Sequence, residues 1–415
     1  MDRGRDQTWD AIVVGAGPGG ATTAAFLARA GVRVLLLDQA EFPRDKTCGD
    51  AISPNALAIV RELGLADEME ETGFRVSGVR LVAPDGGEAV APVPPRAGRA
   101  DHLRIARRFE FDDLLQRNAV AAGAVFEPGV NVTDVDTSGG RAEVTGSRGG
   151  RSLRFSAAVA VLAVGASTLL PRRTGLLSGR PRFGLGARAY FHGIAGLEDR
   201  IDFRFDAMPL PGYGWIFPLS EDSANVGAGF LTPSSRVPPN PRAVLERFLG
   251  HGPVRAMMTG SRRQGPVRAF PVRTDFATAG TVGERLVAVG EAAGLVNPFT
   301  GEGIDYAMVS GKVAAGVLAR QLQSGDVSAA ALCAYDRQLR DRFQHLFVWT
   351  VRMRRLYLNR RLLNPLVRAA RREPAVARRV TEVVLGYRSA ASALSPRMVF
   401  QVLRSWRTDS SRADG

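Results

Sequence analysis

Apolar and polar positions follow two different rhythms along this chain, and the changes between them sketch a fold. Ala11 to Val14 is an unbroken apolar run closed by glycine, which predicts a short strand buried on both faces. Ala21 to Ala30 is alanine-rich and stops at Gly31, the pattern of a helix. Arg33 to Leu37 is a second buried strand that ends on Asp38. Ala157 to Val164 and Leu286 to Val289 are further apolar runs of the same type, each leading into glycine. Strands separated by a helix predict βαβ units and a parallel sheet.

The other rhythm is strict alternation. Val79 to Pro95 alternates around Asp85-Gly86-Gly87, and Ala124 to Thr145 around Ser138-Gly139-Gly140, both hairpin patterns. Between Phe183 and Phe230 the short runs 187–191, 201–205, 215–217 and 225–230 alternate without a helical period. They predict an antiparallel sheet with one face open to a ligand. Asn55 to Leu65, His102 to Leu115 and Tyr306 to Leu322 read as helices. From Leu332 the chain is helical, with Trp349, Met353, Leu356, Leu363 and Val367 at helix spacing. The expected class is α/β. A Rossmann-like nucleotide domain (9–75, 100–165 and 275–330) is interrupted by a β-sheet substrate domain (76–99 and 166–274). A C-terminal helical region (331–407) and a polar, disordered tail (408–415) follow.

Composition narrows the function. Two cysteines among 415 residues make no disulfide framework, which fits a reducing cytoplasm. No apolar signal core opens the chain and no run of eighteen apolar residues occurs, so neither secretion nor a spanning helix is expected. Between Arg337 and Arg407 stand seventeen arginines against three acids, a local excess equal to the net charge of +14 of the whole chain. The basic character belongs to that segment, where a basic helix with an apolar face suits contact with an anionic membrane. Nucleic-acid binding fits the charge but not the rest of the chain.

The chemistry concentrates in glycine-rich turns. Gly15, Gly17 and Gly20 stand in the spacing GxGxxG between the first strand and the first helix, with Gly19 in the same turn. Gly15 permits the tight turn, Gly17 lets a pyrophosphate approach the backbone, and Gly20 lets helix and strand pack closely. Helix N–H groups then face the phosphates. Asp38, at the end of the second strand, suits the hydroxyls of an adenosine ribose, so FAD or NAD is expected rather than NADP. The loop from Pro43 to Asp50, with Arg44, Cys48 and Gly49, leaves the carboxyl end of that strand and should overlie the cofactor. Arg108 is placed to reach the dinucleotide, and Gly165 closes a third strand. Gly290-Glu291 and the loop Pro298 to Ile304, with Gly301 and Gly303, again lead from a strand into a helix N-terminus. Glu291 suits a sugar-like hydroxyl. No second GxGxxG occurs, so no separate nicotinamide domain is expected. No metal site is expected.

Four stretches together resemble the geranylgeranyl reductase family of FAD-dependent enzymes. They are Ala11–Asp38, PRDKTCGD from Pro43 with Ser53-Pro54, YGWIFP at Tyr213–Pro218, and GEAAGLVNPFTGEGIDYAM at Gly290–Met308. Arg108 with Phe111, Asp112 and Leu115 looks like that family's arginine motif, and the likeness spans roughly residues 9–320. Actinobacterial prenyl reductases acting on menaquinone carry GYGWIFPL and GEGIDY too. Two departures stand out: Glu291 replaces the usual Asp, and Ala163-Val164-Gly165 replaces the usual Ala-Asp-Gly.

The resemblance implies a fold like p-hydroxybenzoate hydroxylase and reduction of C=C bonds in a prenyl chain of a lipid, quinone or related isoprenoid. FAD is the implied cofactor, with NAD(P)H or another reductant as donor. Cys48 and Tyr213 are the candidates for acid or positioning roles, and Trp215 and Phe217, with Tyr213, should wall the prenyl chain. Loop amides from Gly301 to Ile304 should face the flavin ring. The rival reading is an FAD-dependent monooxygenase or epoxidase acting on a prenylated natural product. A halogenase fits less well, because Lys46 and Lys312 are the chain's only lysines. A lipid-binding protein without activity is a third reading. The oligomeric state is not legible.

Overall fold

The computed structural model describes residues 8–231, 240–357 and 359–388. The expected tail at 408–415 and the basic residues Arg397, Arg404 and Arg407 lie outside them.

An eight-stranded sheet forms the first layer. Its central strand, Thr8–Val14, runs parallel to Arg151–Leu162 on one side and Val34–Leu37 on the other. Val125–Glu127 extends one edge, and Leu286–Ala288 and Val282–Gly283 extend the other. The chain leaves Thr8–Val14 toward Val34–Leu37, while its other neighbour arrives from far along the sequence. The carboxyl end of Thr8–Val14 is therefore a topological switch point, where open α/β sheets bind ligands. The expected hairpin around Ser138-Gly139-Gly140 joins Asn131–Asp136 to Ala142–Arg148, which pairs with the first half of Arg151–Leu162.

Two helices cross beneath this switch point. Pro18–Arg29 starts three residues ahead of Ala21, because Gly17 caps it and Pro18 sits in its first turn, where its missing N–H costs nothing. Ile304–Ser324 packs across it. A Cβ on Gly311 would fall 2.5 Å from the Gly19 carbonyl oxygen, so the two backbones touch where glycine alone fits.

A seven-stranded sheet forms the second layer, in the order Arg262–Arg273, Phe183–His192, Ser223–Leu231, Gly212–Pro218, Arg200–Arg204, Gly78–Val82 and Glu88–Pro92. It unites the alternating runs of 79–95 with those of 183–230. It is not wholly antiparallel as expected, because Gly78–Val82 and Arg200–Arg204 pair in parallel where the early hairpin joins the later strands. The segment His102 to Leu115, expected as one helix, divides into a strand, Leu103–Ile105, and a helix, Arg108–Ala121. That strand is the middle of a small third sheet, between Ala51–Ile52 and Phe74–Val76. The strand Arg262–Arg273 and the helix Pro241–Leu249 have no counterpart in the sequence expectations.

The C-terminal helices pack on these layers. Ala329–Leu339 buries Leu332, Tyr335 and Leu339 in the first core, and His345–Tyr357 follows. Arg360–Arg372 and Pro374–Val384 bury Leu363, Val367, Val376 and Val380, with Leu385 after them, against Val79, Leu81 and Ala91 of the second sheet. Arg360, Arg361 and Arg371 lie on the exposed side.

Candidate active site

The glycine turns of the first sheet and the aromatic strand of the second face one another across a cavity of about 860 Å3. That volume is in the range of sites that hold a cofactor or drug-sized molecule.

One end is built for an anion. Gly15 has a φ of 107°, and a Cβ there would meet the Ala163 carbonyl oxygen at 2.3 Å. Gly17 precedes the helix N-terminus, and a Cβ on it would lie 3.5 Å from Arg44 Nη2 and 3.8 Å from Arg108 Nη2. Both guanidinium groups are set by the fully buried Asp112. Its Oδ1 accepts from Arg108 Nε at 2.5 Å and its Oδ2 from Arg108 Nη2 at 2.6 Å, while Arg44 Nη1 stands 2.9 Å from Oδ2 as an ion pair. Arg44 Nη1 has no aligned acceptor in this buried position. Two guanidiniums against one carboxylate leave one net positive charge beside a helix N-terminus, which suits a pyrophosphate. Asp38 lines the cavity at the end of its strand and accepts from the backbone N–H groups of Ala16 at 2.8 Å and Ala40 at 2.9 Å. The residues present fit the adenosine diphosphate half of FAD.

The late loop supplies the next wall. Glu291 Oε1 accepts from the Arg273 backbone N–H at 2.9 Å, and Oε2 would lie 3.6 Å from a Cβ on Gly165. The strand end, the Gly165 turn and Gly290 thus converge on one carboxylate, whose pKa burial pushes up against the opposing charge of Lys46. Lys46 Nζ sits 3.3 Å from the centre of the Phe270 ring, and burial lowers its pKa to about 8. Beyond it, Gly301 has a φ of 72°, and the loop is tied by Asn297, whose N–H donates to the Glu302 carbonyl at 2.8 Å. The loop ends at the N-terminus of Ile304–Ser324.

The aromatic wall closes the far side. Tyr213 donates its hydroxyl to the Thr300 backbone carbonyl, which ties the second sheet to the late loop. Trp215 Nε1 donates to Asn225 Oδ1 at 3.0 Å. Gly227 has no side chain where the indole lies, since a Cβ would fall 2.0 Å from it. Gly49 lies against Phe217, with only 3.1 Å between a Cβ there and the ring. Phe203 packs edge-on to Phe217, with ring centres 5.4 Å apart. Ile201, Phe299, Val384 and Leu385 complete an apolar compartment. Cys48 lines the cavity, and burial pushes its thiol pKa up. Burial also raises the Tyr213 phenol.

Of the residues singled out from the sequence, Gly15, Gly17, Gly19, Asp38, Arg44, Cys48, Gly49, Arg108, Gly165, Gly290, Glu291, Gly301, Gly303, Ile304, Tyr213, Trp215 and Phe217 line this cavity. Gly20 and Pro298 do not. Gly20 serves packing, since a Cβ on it would fall 1.8 Å from the Gly15 carbonyl oxygen. Sequence reasoning missed the site roles of Lys46, Glu302, Asn225, Val384 and Leu385. Glu302 stood in plain view between two glycines, whereas Asn225 sits in an ordinary alternating strand that carries no signal. Among the described residues, no cluster of side chains suits a metal ion.

The family model described as an FAD binding domain matches residues 8–178. The chain is 34% identical over 326 residues to a menaquinone reductase of Mycobacterium tuberculosis, covering 75% of this chain and 77% of that protein. It is 30% identical over 374 residues to digeranylgeranylglycerophospholipid reductase 2 of Methanopyrus kandleri, covering 88% and 91%. A solved structure of a geranylgeranyl bacteriochlorophyll reductase-like protein from Thermoplasma acidophilum superposes with a TM-score of 0.80 over 93% of this chain and 98% of that one, at 23% identity, and shows the same fold. The sequence identity over most of both chains, with FAD-binding turns joined to an aromatic wall, places the chain in the geranylgeranyl reductase family of FAD-dependent prenyl reductases.

Proposed function

We propose that this enzyme reduces C=C bonds in the prenyl chain of a menaquinone-type quinone. The observation that carries the reading is the single cavity that runs from the two glycine turns to an apolar, aromatic compartment. Identity to menaquinone reductases over three quarters of the chain supports the quinone as acceptor.

Reduced FAD supplies the hydride when bound. Gly17, Arg44 and Arg108 would hold the pyrophosphate, Asp38 the ribose, and Glu291 a hydroxyl of the linker. Trp215, Phe217 and Phe203 lie along the prenyl chain and exclude water from the reacting bond. Tyr213, fixed on Thr300, and Cys48, whose carbonyl is tied to Asn225 of the aromatic sheet, set the position of the alkene. NAD(P)H or another reductant would supply the electrons.

The exposed arginines of Arg360–Arg372 and its neighbours bring the enzyme to an anionic bilayer, where such a substrate resides. Among the described residues, no helix is long and apolar enough to cross a membrane.

Anaerobic incubation of dithionite-reduced enzyme with menaquinone, followed by mass analysis, tests the function. A gain of two hydrogens on the side chain is expected. A gain of one oxygen under air, with no gain of hydrogen, establishes the monooxygenase instead. Unaltered quinone under both conditions, with bound lipid, establishes a binding protein.

A further inference from the structure

We propose that the carboxyl of Glu302 is the acid that protonates the alkene. The inference rests on prenyl reduction as the reaction and adds a group to which neither the family model nor the relatives' names assign a role.

Three observations place Glu302 at the chemistry. It lines the cavity shared with Cys48 and Tyr213. Its loop is pinned under the aromatic wall, because the Tyr213 hydroxyl bonds to Thr300 and would lie 3.3 Å from a Cβ on Gly301. The loop is rigid as well: the Glu302 N–H donates to Thr300 Oγ1 at 3.2 Å, and Oε1 accepts from the Asp305 N–H at 3.1 Å. One carboxyl is thereby held at the helix N-terminus, in a residue that lines the cavity.

Its surroundings keep it protonated. No Lys, Arg or His among the described residues forms an ion pair with it. Asp305 is the charged neighbour that acts on it most, Tyr213, Cys48, Tyr306 and Tyr387 feel its charge in turn, and Asp305 itself faces Arg99 and Arg342. Burial first, and then Asp305, push the Glu302 pKa up to about 8, against the pull of the N–H groups of residues 303–305. Such an acid is neutral at pH 7 yet able to give up its proton.

The alternatives in the same cavity are poorer acids. The Tyr213 hydroxyl is committed to the Thr300 carbonyl, and burial raises both it and the Cys48 thiol. Glu291 is engaged with the Arg273 backbone N–H and stands beside Gly165.

The step balances with reduced FAD as reductant. A hydride with its two electrons passes to one alkene carbon. The other carbon forms its C–H bond as the Glu302 O–H bond breaks. The double bond becomes single, the flavin ends oxidised, and water returns a proton to the carboxylate.

The test is single-turnover reoxidation of the prereduced, FAD-loaded enzyme by menaquinone under anaerobic conditions between about pH 6 and 10, followed by flavin absorbance and product mass. Wild type should slow as pH rises through about 8. Glu302→Gln should keep its FAD spectrum, react at least about a hundredfold more slowly and lose that pH limb. Cys48→Ala should retain the limb. A wild-type rate or an intact limb in Glu302→Gln overturns the proposal, as does loss of the limb in Cys48→Ala alone. If Glu302→Gln does not retain FAD, Glu302→Asp decides: a shifted limb supports the assignment and an unshifted one overturns it. Wild type that transfers no hydrogen to the quinone at any pH overturns the prenyl-reduction reading itself, a result distinct from a normal wild type with an unaffected variant.

Discussion

The side-chain amide of Asn225 donates to the backbone carbonyl of Cys48 at 2.8 Å. This bond fixes the loop over the nucleotide domain to a strand of the aromatic sheet. The same amide donates to Asp50 Oδ2 at 2.8 Å, and Asn225 Oδ1 receives the Trp215 indole N–H. One fully buried side chain thus sets the height of Cys48 over the cavity and the orientation of Trp215 within it.

Asn225→Ala is expected to destabilise the FAD-loaded protein by about 2 kcal/mol or more, since each buried polar group left unpaired costs about 1–3 kcal/mol. In a chain of this size that lowers Tm by roughly 2–5 °C. Thermal unfolding followed by tryptophan fluorescence measures it. A Tm within about 1 °C of wild type means that the loop is held by other contacts.

Gly17→Val is expected to fold and to lose FAD. The Cβ position at Gly17 has no neighbour closer than 3.5 Å, and the neighbours within 4 Å are the guanidinium tips of Arg44 and Arg108. The branched side chain would fill the path of the pyrophosphate between them. Absorbance of the purified protein reports the flavin, and circular dichroism the fold. A yellow, stoichiometric Gly17→Val protein would remove this turn from the cofactor site.

The nucleotide half of the site was legible because its physics is local. GxGxxG, Asp38 and the late glycine loop work through turn geometry and helix N-termini, which neighbouring residues determine. The aromatic wall was legible through the resemblance carried by YGWIFP at Tyr213–Pro218, which also falls on one strand. What escaped depends on distant partners. Asn225 matters only because folding brings it to Cys48, 177 residues earlier. Asp112 was part of a motif, but its grip on both Arg44 and Arg108 is a tertiary fact. Val384 and Leu385 reach the cavity only because Pro374–Val384 folds back onto the second sheet. The parallel pairing of Gly78–Val82 with Arg200–Arg204 was hidden for the same reason, since alternation does not encode strand direction.

Flavin-free protein is expected to have a stability minimum near pH 8. Glu302 is raised from an ordinary 4.5 to about 8, so the folded state holds its proton more tightly than the unfolded chain. Its contribution is complete below about pH 4.5 and is lost as pH climbs to about 8. Asp50, raised by burial to about 6, adds to the loss at the acid end of that window. Lys46 acts with the opposite slope. Burial lowers it from 10.5 to about 8, so its charged form is penalised in the fold, and stability returns just above about pH 8, until the raised Cys48 thiol and Tyr213 phenol draw it down again above their ordinary values of 9 and 10. Urea denaturation at closely spaced pH values measures the curve. Glu302→Gln should flatten the descent between about pH 6 and 8, and Lys46→Met the ascent above about 8. A curve that rises steadily from pH 6 to 8 contradicts the burial of the Glu302 carboxyl.

Attachment to a bilayer is expected to be electrostatic rather than insertive. The apolar residues of Arg360–Arg372 and Pro374–Val384 are already spent on the second sheet, where Leu363, Val367, Val376, Val380 and Leu385 are buried. Withdrawing each would cost about 1.5–3 kcal/mol, more than the roughly 1 kcal/mol that one arginine contributes at an anionic surface. The helices therefore stay on the protein, and Arg360, Arg361 and Arg371 present charge alone. Val384 and Leu385 reach from the same helical region into the cavity, so a surface held there stands near the apolar compartment. Flotation of the FAD-loaded enzyme with liposomes tests this. Binding to anionic vesicles at low salt should fall steeply as salt screens the charges, and neutral vesicles should leave the protein in solution. The triple variant with Arg360, Arg361 and Arg371 changed to Ser should lose most of the anionic binding while retaining FAD. Equal flotation with neutral and anionic vesicles, or binding that persists at about 1 M salt, would show that apolar insertion and not this basic face makes the contact.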